Sequence, residues 1–378
     1  MNSCGGSEQS FCGAAWRRSV AMLSNAGEST EEWSDGRVQL RVSVKTGKPI
    51  DVGTLREVNV DDIRAANADL DDAIYELFSA TQDLEVLTHC PICSETIGRS
   101  RVLLARGFAK YVTCGNCGHG FVNPRPSLAR MNRRFRESAD LAETYADDAM
   151  IDFRLREVVG PKLDWVAEQY LLQRGRQLHR LSDVGAGGGH FVYAARERGM
   201  SVQGYEISEV SAKFAKSRFG VELASADFLT DDRAESLDAV TMWGLLEYVS
   251  NPLDFLRAAR ARMHKDTGML FLEVPNVDSI STGSQSFSEA VIARHMDPTS
   301  HLHCFSRLST LCALLRTGFE PTAVWYFGMD AQEFAVQVVA TTAPCADGGS
   351  VSRLSTTVQS YIDSGQLGDS MVFAAVAT

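Results

Sequence analysis

Two C-x2-C pairs, Cys90/Cys93 and Cys114/Cys117, stand twenty residues apart in a chain of 378 residues. Both occupy tight turns, CPIC and CGNC, where Pro, Gly and Asn let the backbone aim two sulfurs at one point. Four thiolates so placed make the tetrahedral soft-ligand set that zinc prefers, and a shell closed by four sulfurs leaves no position for a reacting water. The expected role is therefore structural: the ion supplies folding free energy to a segment too short to have a real core. Reduced metal-free turns, or a redox disulfide, are the competing accounts. His89 and His119 flank the turns and read as bystanders, while Cys4, Cys12, Cys304, Cys312 and Cys345 lack ligand spacing and read as buried or free thiols.

The second chemical signal is LSDVGAGGGHF, Leu181 to Phe191. A short apolar strand ends at Asp183 and Val184, four of the next five residues are glycine, and a helical pattern follows. Glycines at a strand-to-helix turn tolerate positive φ and admit a ligand close to the backbone, and the helix start offers unpaired N–H groups to the same spot. The next strand, SVQGYEIS, ends at Glu206, twenty-one residues after Gly185, where an acid accepts hydrogen bonds from ribose hydroxyls in dinucleotide-binding folds. Together these point to a nucleoside-type cofactor. The nicotinamide pattern G-x-G-x-x-G fits poorly, because its last glycine position holds His190.

The elements that must position these residues follow from periodicity. From Arg180 onward RLSDV, SVQGY, LDAVTMW, GMLFLEV and TAVWYF alternate with helical patterns, which predicts an α/β fold with a mostly parallel sheet and helices on both faces. Upstream, RVQLRVSVK alternates apolar and polar residues as a half-buried strand does, and Ile63, Leu70, Ile74, Leu77 and Phe78 are spaced as on a helix. The expected organisation is a flexible tail over 1–36, an accessory α+β region over 37–88, a zinc ribbon over 89–127, a helical connector over 128–175 and the cofactor domain over 176–378. Arg130, Arg133, Arg134 and Arg136 in the connector read as a solvated helix face, with contact to phosphate as the alternative.

DVGAGGGHF, GYEIS, ASADF and LDAVTMWGLLEYVSNP, in that order, resemble the motif set of class I S-adenosylmethionine-dependent methyltransferases. CPIC and CGNCGHGFVNPRPS resemble the zinc ribbon fused ahead of this domain in many small-molecule and sugar methyltransferases. The likeness continues through FLEVPNV and HLHCFSRLSTLCALLRTGFEP; it spans roughly residues 89–340 plus a last strand near 371–377, and leaves out the first 88 residues. It implies a Rossmann-like seven-stranded sheet. It also implies that Gly185, Gly187 and Gly189 let the methionine part of the cofactor lie on the backbone, with Asp183 holding the turn or meeting the cofactor amino group. Glu206 would bond the ribose hydroxyls with Ile207 beside the adenine, Asp227 would accept from the adenine amino group while Phe228 covers the ring, and Trp243 would border the methyl-transfer site. The bland alternatives are core aromatics for Phe228 and Trp243, and a helix cap for Asp227.

Methyl transfer from a sulfonium is an in-line displacement, so holding the nucleophile and the methyl in near-attack geometry supplies much of the rate, and a base is needed only where the acceptor carries a proton. Candidate bases are Glu247, Tyr248, His295, His301 and His303, with His301 and His303 expected on one side of HLHCFS. Where similar enzymes often read W-H-x-L-E-H, this chain reads Trp243-Gly244-Leu245-Leu246-Glu247-Tyr248. Both histidines of the pattern are gone, and Gly244 is read as opening space for a bulky acceptor.

Composition bounds the partners. With 37 basic and 48 acidic residues the net charge is −11, which disfavours nonspecific attraction to nucleic acid or to an anionic membrane. No apolar run reaches signal-peptide or membrane-span length, so the expected location is cytoplasmic. The favoured acceptor is a small molecule such as a sugar, a nucleotide-sugar or a secondary-metabolite intermediate. The alternatives are an RNA methyltransferase gripping nucleic acid with its ribbon, and a noncatalytic scaffold. The first 88 residues are expected to form a lid, a homodimer contact or a docking unit.

Overall fold

The structure, a computed structural model, describes residues 16–23, 28–48, 60–137, 148–231, 236–285, 292–342 and 357–378. Its main sheet runs, from one edge to the other, through β1 (Arg17–Leu23), β2 (Glu28–Ser34), β3 (Gln39–Thr46), β14 (Phe319–Phe327), β15 (Ser370–Ala377), β12 (Met269–Pro275), β11 (Ala239–Trp243), β9 (Arg180–Val184) and β10 (Ser201–Tyr205). The four strands from β12 to β10 are parallel to one another, as their β-strand–helix alternation predicts. The last strand of the chain, β15, enters antiparallel between β12 and β14.

The expected seven-stranded plan is present with two departures. Its third strand is reduced to a single parallel bridge, Tyr205 to Ala224, held by Glu206 N–H to the Ala224 carbonyl (3.0 Å) and Ala224 N–H to the Gly204 carbonyl (2.8 Å). Three N-terminal strands extend the opposite edge, giving nine. The boundary expected at residue 36 therefore falls inside one unit, since β1 and β2 precede it, and residues 1–15 of that expected tail lie outside the described residues. In β3 the alternation seen in the sequence becomes burial: Leu40, Val42 and Val44 are almost fully buried while Gln39, Arg41 and Ser43 face solvent. Buried Glu31 ties this unit down, accepting from Trp33 Nε1 (2.8 Å) and Gln366 Nε2 (2.7 Å).

Helices cover both faces. Helix α4 (Gly160–Arg174) packs Leu163, Trp165, Val166 and Tyr170 on one face beside α5 (His190–Glu197), with Trp165 against Trp325 and Phe271. On the other face α7 (Pro252–Arg262) and α9 (Arg307–Arg316) bury Leu253, Leu256, Leu311 and Leu314. Strands enclosed on both faces have no polar face to show, and β15 is accordingly almost continuously apolar.

The ribbon is not a detached module. Its strands β5 (Arg101–Arg106), β6 (Ala109–Thr113) and β7 (Gly120–Val122) gain a fourth, β13 (His303–Cys304), from the cofactor domain. Helix α1 (Val60–Phe78) packs Ile74, Leu77 and Phe78 over this sheet, so the accessory region 37–88 divides between the main sheet and the ribbon. Cys304 is buried and free, as read, whereas Cys312 is disulfide-bonded and leaves the group of free thiols. No described helix is long and apolar enough to cross a membrane.

Because β3 is an integral sheet strand, Leu40→Ala is expected to cost the whole fold about 2–5 kcal/mol, the range for deleting a buried leucine side chain. Urea unfolding followed by tryptophan fluorescence checks it: an unshifted main transition would show the N-terminal strands to be an appendage.

Candidate functional site

The carboxyl ends of β9, β10, β11 and β12 open on one cleft of about 2070 Å³. That is roughly twice the upper end of a usual ligand pocket, about 1,000 Å³, and leaves room for two ligands. The first wall is the glycine turn. Gly185, Gly187 and Gly189 sit at φ +74°, +52° and +76°, and a Cβ on Gly189 would stand 2.8 Å from Ala215 Cβ, so the turn requires glycine for conformation and for space.

Glu206 lies under this turn. Its carboxylate accepts from Gly187 N–H (2.8 Å) and Ser208 N–H (2.7 Å), which offset part of the upward pKa shift caused by burial. Asp183 is buried and accepts from the Thr241 hydroxyl (2.6 Å); burial nevertheless pushes it up to about 7. Ile207, Asp227, Phe228 and Trp243 also line the cleft. Asp227 accepts from Leu229 N–H (2.9 Å), the turn-capping alternative. The Phe228 ring is 3 % exposed and packed by Tyr205, Phe255 and the Arg262 guanidinium, so it is chiefly a core aromatic. Trp243 contacts Phe191 and lies 5.2 Å from Lys162 Nζ.

The expected bases separate. Glu247 is buried in the cleft wall, and its Oε2 has no hydrogen-bond partner among the described residues; burial drives the carboxyl up to about 8. Gly244 has φ +60°, and a Cβ there would stand 3.3 Å from Glu247 Oε1, so glycine suits both the turn and the close approach of Glu247. His301 lines the cleft against the Tyr248 ring (4.6 Å) and accepts from or donates to Ser300 Oγ (3.0 Å); burial lowers it to about 4, so it is neutral at physiological pH. Tyr248 is wedged between His301 and Phe135.

His303 does not join them. It is fully buried outside the cleft, its Nδ1 3.0 Å from His119 Nε2, because β13 turns it toward the ribbon. Adjacent strand residues point to opposite faces, but these two are separated by Leu302 at the entry to β13, where the extended pattern has only begun. The expectation that both histidines face one side fails for this reason. His295 is buried with Nε2 against the Thr282 hydroxyl (2.6 Å), and burial lowers it to about 4.

The sequence motifs missed the far end of the cleft. Lys162 from α4 pairs with Glu273 at the end of β12, whose other oxygen accepts from the Ser370 hydroxyl (2.7 Å). Burial alone would raise Glu273, but Lys162, Ser370 and Lys48 hold it down to about 2. Arg294 binds Asp369 (2.7 Å) and Glu333 (3.1 Å). These residues are scattered over six segments with no common spacing, so only Glu273, inside FLEVPNV, carried any signal.

The four cysteines of the ribbon converge, with all Sγ atoms within 4.8 Å of one another and the Cys90–Cys117 and Cys93–Cys114 pairs at 3.7 and 3.6 Å. A tetrahedral site with metal–sulfur bonds of about 2.3 Å spaces its sulfurs about 3.8 Å apart, so the set fits zinc. Neither flanking histidine joins it: His89 meets Thr88, and His119 meets His303. The ribbon in turn braces the cleft. Tyr111 donates to the His301 carbonyl, Val122 N–H to the Leu302 carbonyl (3.0 Å), and Leu302 and His303 N–H to the Glu247 carbonyl (2.6 and 3.1 Å).

Glu206→Ala is expected to weaken S-adenosylhomocysteine binding about 10- to 100-fold, the value of one or two charge-assisted hydrogen bonds, measured by calorimetry. Unchanged affinity would remove Glu206 from the ribose site.

Residues 160–324 match a family model described as a methyltransferase domain. The chain is 30% identical over 207 residues to a ubiquinone biosynthesis O-methyltransferase of Xanthomonas campestris, covering 52% of this chain and 84% of that protein. It is 28% identical over 187 residues to the protein of the same description from Bordetella avium, covering 47% and 76%. A solved 1,6-didemethyltoxoflavin-N1-methyltransferase of Burkholderia thailandensis aligns at 14% identity with a TM-score of 0.42, over 74% of this chain and all of that one. With its glycine turn, its acid on the next strand and the Xanthomonas campestris relative matched over 84% of its length, the chain belongs to the class I S-adenosylmethionine-dependent methyltransferases.

Proposed function

We propose that this enzyme methylates a hydroxyl oxygen of a small-molecule acceptor, with Glu247 as the general base. The observation that carries this reading is the buried Glu247 carboxyl in the cleft wall, whose Oε2 has no hydrogen-bond partner among the described residues. The relatives named as O-methyltransferases of ubiquinone biosynthesis support an oxygen acceptor.

Bound S-adenosylmethionine supplies an electrophilic methyl group. The chain's part is to orient and to take a proton. Glu206 and the glycine turn fix the nucleoside end, while Trp243 and Phe191 form an apolar wall that keeps water from the reacting centre. Glu247, ionised, accepts the hydroxyl proton as oxygen attacks; a carboxyl raised toward 8 is a stronger base than an ordinary one, and its proton is then lost to solvent. His301, neutral and packed on Tyr248 in the cleft lining, orients the acceptor.

The cysteine set is proposed to hold structural zinc. Ser306 Oγ donates to the Cys117 carbonyl (2.7 Å), and Arg316 Nη1 donates to the Ile92 carbonyl (2.5 Å), so the knuckles are docked on α9. Losing the ion would loosen the strands that brace Glu247 and His301. Equimolar zinc is expected by elemental analysis, and Cys114→Ser with Cys117→Ser should abolish it and lower both the melting temperature and turnover. Full metal-free activity would overturn the assignment.

The base is tested by its pH profile. A carboxylate base works ionised, so kcat/KM should rise with pH through about 8, the value to which burial lifts Glu247. A His301 base would place that limb near 4 instead. Glu247→Gln should lower kcat about 10²- to 10⁴-fold with S-adenosylhomocysteine affinity retained. An undiminished rate would assign the proton to another group.

A further inference from the structure

Strand β3 ends at the cleft. Gly47 N–H donates to the Tyr326 carbonyl (2.8 Å) and Trp325 Nε1 donates to the Gly47 carbonyl (2.7 Å), which clamps the backbone and delivers Lys48 over the Phe327 ring, Nζ 4.8 Å from its centroid. Lys48 lines the cleft together with Lys162, Arg154, Glu273 and Arg294.

The charges at this end do not balance around Lys48. Glu273, the carboxylate in its field, is engaged on both oxygens by Lys162 and Ser370. Asp369 and Glu333 are engaged by Arg294. Among the described residues no carboxylate forms an ion pair with Lys48. Burial, with the like charges of Lys162, Arg154 and Arg294, holds it down to about 7, opposed by Glu273. A partly buried cation that faces a cavity and has no ion-pair partner among the described residues is stabilised by an anion that enters that cavity. At the mouth, exposed Arg133 and Arg136 on the helix Leu128–Glu137 add a positive rim that favours the approach of such an anion.

We infer that the acceptor carries an anionic group, a carboxylate or a phosphoryl, which seats between Lys48 and Lys162 beside Phe327. The N-terminal strands, which lie outside the matched methyltransferase domain, thereby complete the acceptor site and select its charge class. Lysine suits either group because it acts as a point charge without the bidentate demand of arginine. This rests on the small-molecule acceptor proposed above.

The test titrates benzoate and, separately, inorganic phosphate into the full chain saturated with S-adenosylhomocysteine, by calorimetry and ligand-observed magnetic resonance. Saturable binding of at least one anion is expected, weakened at least about tenfold in Lys48→Met and kept within a few-fold in Lys48→Arg, since a charge-assisted contact is worth about that much. Preference for benzoate assigns a carboxylate, and preference for phosphate a phosphoryl group. S-adenosylhomocysteine affinity measured on each variant separates local loss from misfolding. If the wild-type chain binds neither anion, or if Lys48→Met binds them as tightly, the inference falls while cofactor binding stands. If anions bind through Lys48 but S-adenosylhomocysteine does not bind at all, the anion site stands and the placement of the cofactor falls.

Discussion

The parallel register of four strands is the constraint on which the site depends. Tyr205 pairs with Val184, Thr241 with Asp183, and Trp243 with Glu273, so the residues that follow these strands emerge side by side at one edge of the sheet. The glycine turn, Glu206, Gly244 with Glu247, and Glu273 with Lys162 surround a single cleft for that reason. In an open parallel sheet the carboxyl ends form a crevice where neighbouring connections leave in opposite directions. The Thr241–Asp183 bond crosses between two of these strands at the bottom of the crevice and holds a buried carboxyl in register.

Around that crevice two peripheral units act as walls. The ribbon reaches it through β13, whose neighbouring residues hold the Glu247 carbonyl and whose loop carries His301. The N-terminal strands reach it from the other side through Lys48. Both enter by backbone hydrogen bonding, which places their side chains more rigidly than a packed loop would. Burial then tunes what they present: it drives Glu247 upward and His301 and Lys48 downward, so that three groups of different chemistry shift toward their neutral forms in one enclosed space.

Much of the cofactor half was legible in the residues because its signals are local. Glycine at positive φ, an acid at the end of the next strand, and cysteines two residues apart are each written within a few positions of one another. The strands themselves were legible because burial on both faces forces continuous apolar runs. The reduced third strand was not, since one bridge leaves no pattern, and neither was β1–β2, because β1 is the edge strand and β2, Glu28–Ser34, is polar along its length. Phe228 and His303 show the limit from the other side. Residue type made both candidates, but Phe228 lines the cleft with its ring packed against Tyr205 and Phe255, and the turn into β13 turned His303 onto His119.

Sequence alone determined the family, the α/β class, the glycine turn and the four-cysteine set, because each rests on short-range spacing that the backbone converts directly into geometry. Tertiary structure alone decided that the ribbon and the N-terminal strands belong to the walls of the cleft, that His301 and His303 part company, and that Lys48, Lys162, Glu273 and Arg294 share one end of it. Those outcomes depend on strand order and burial between segments hundreds of residues apart, and no local pattern encodes which buried charge will find a partner.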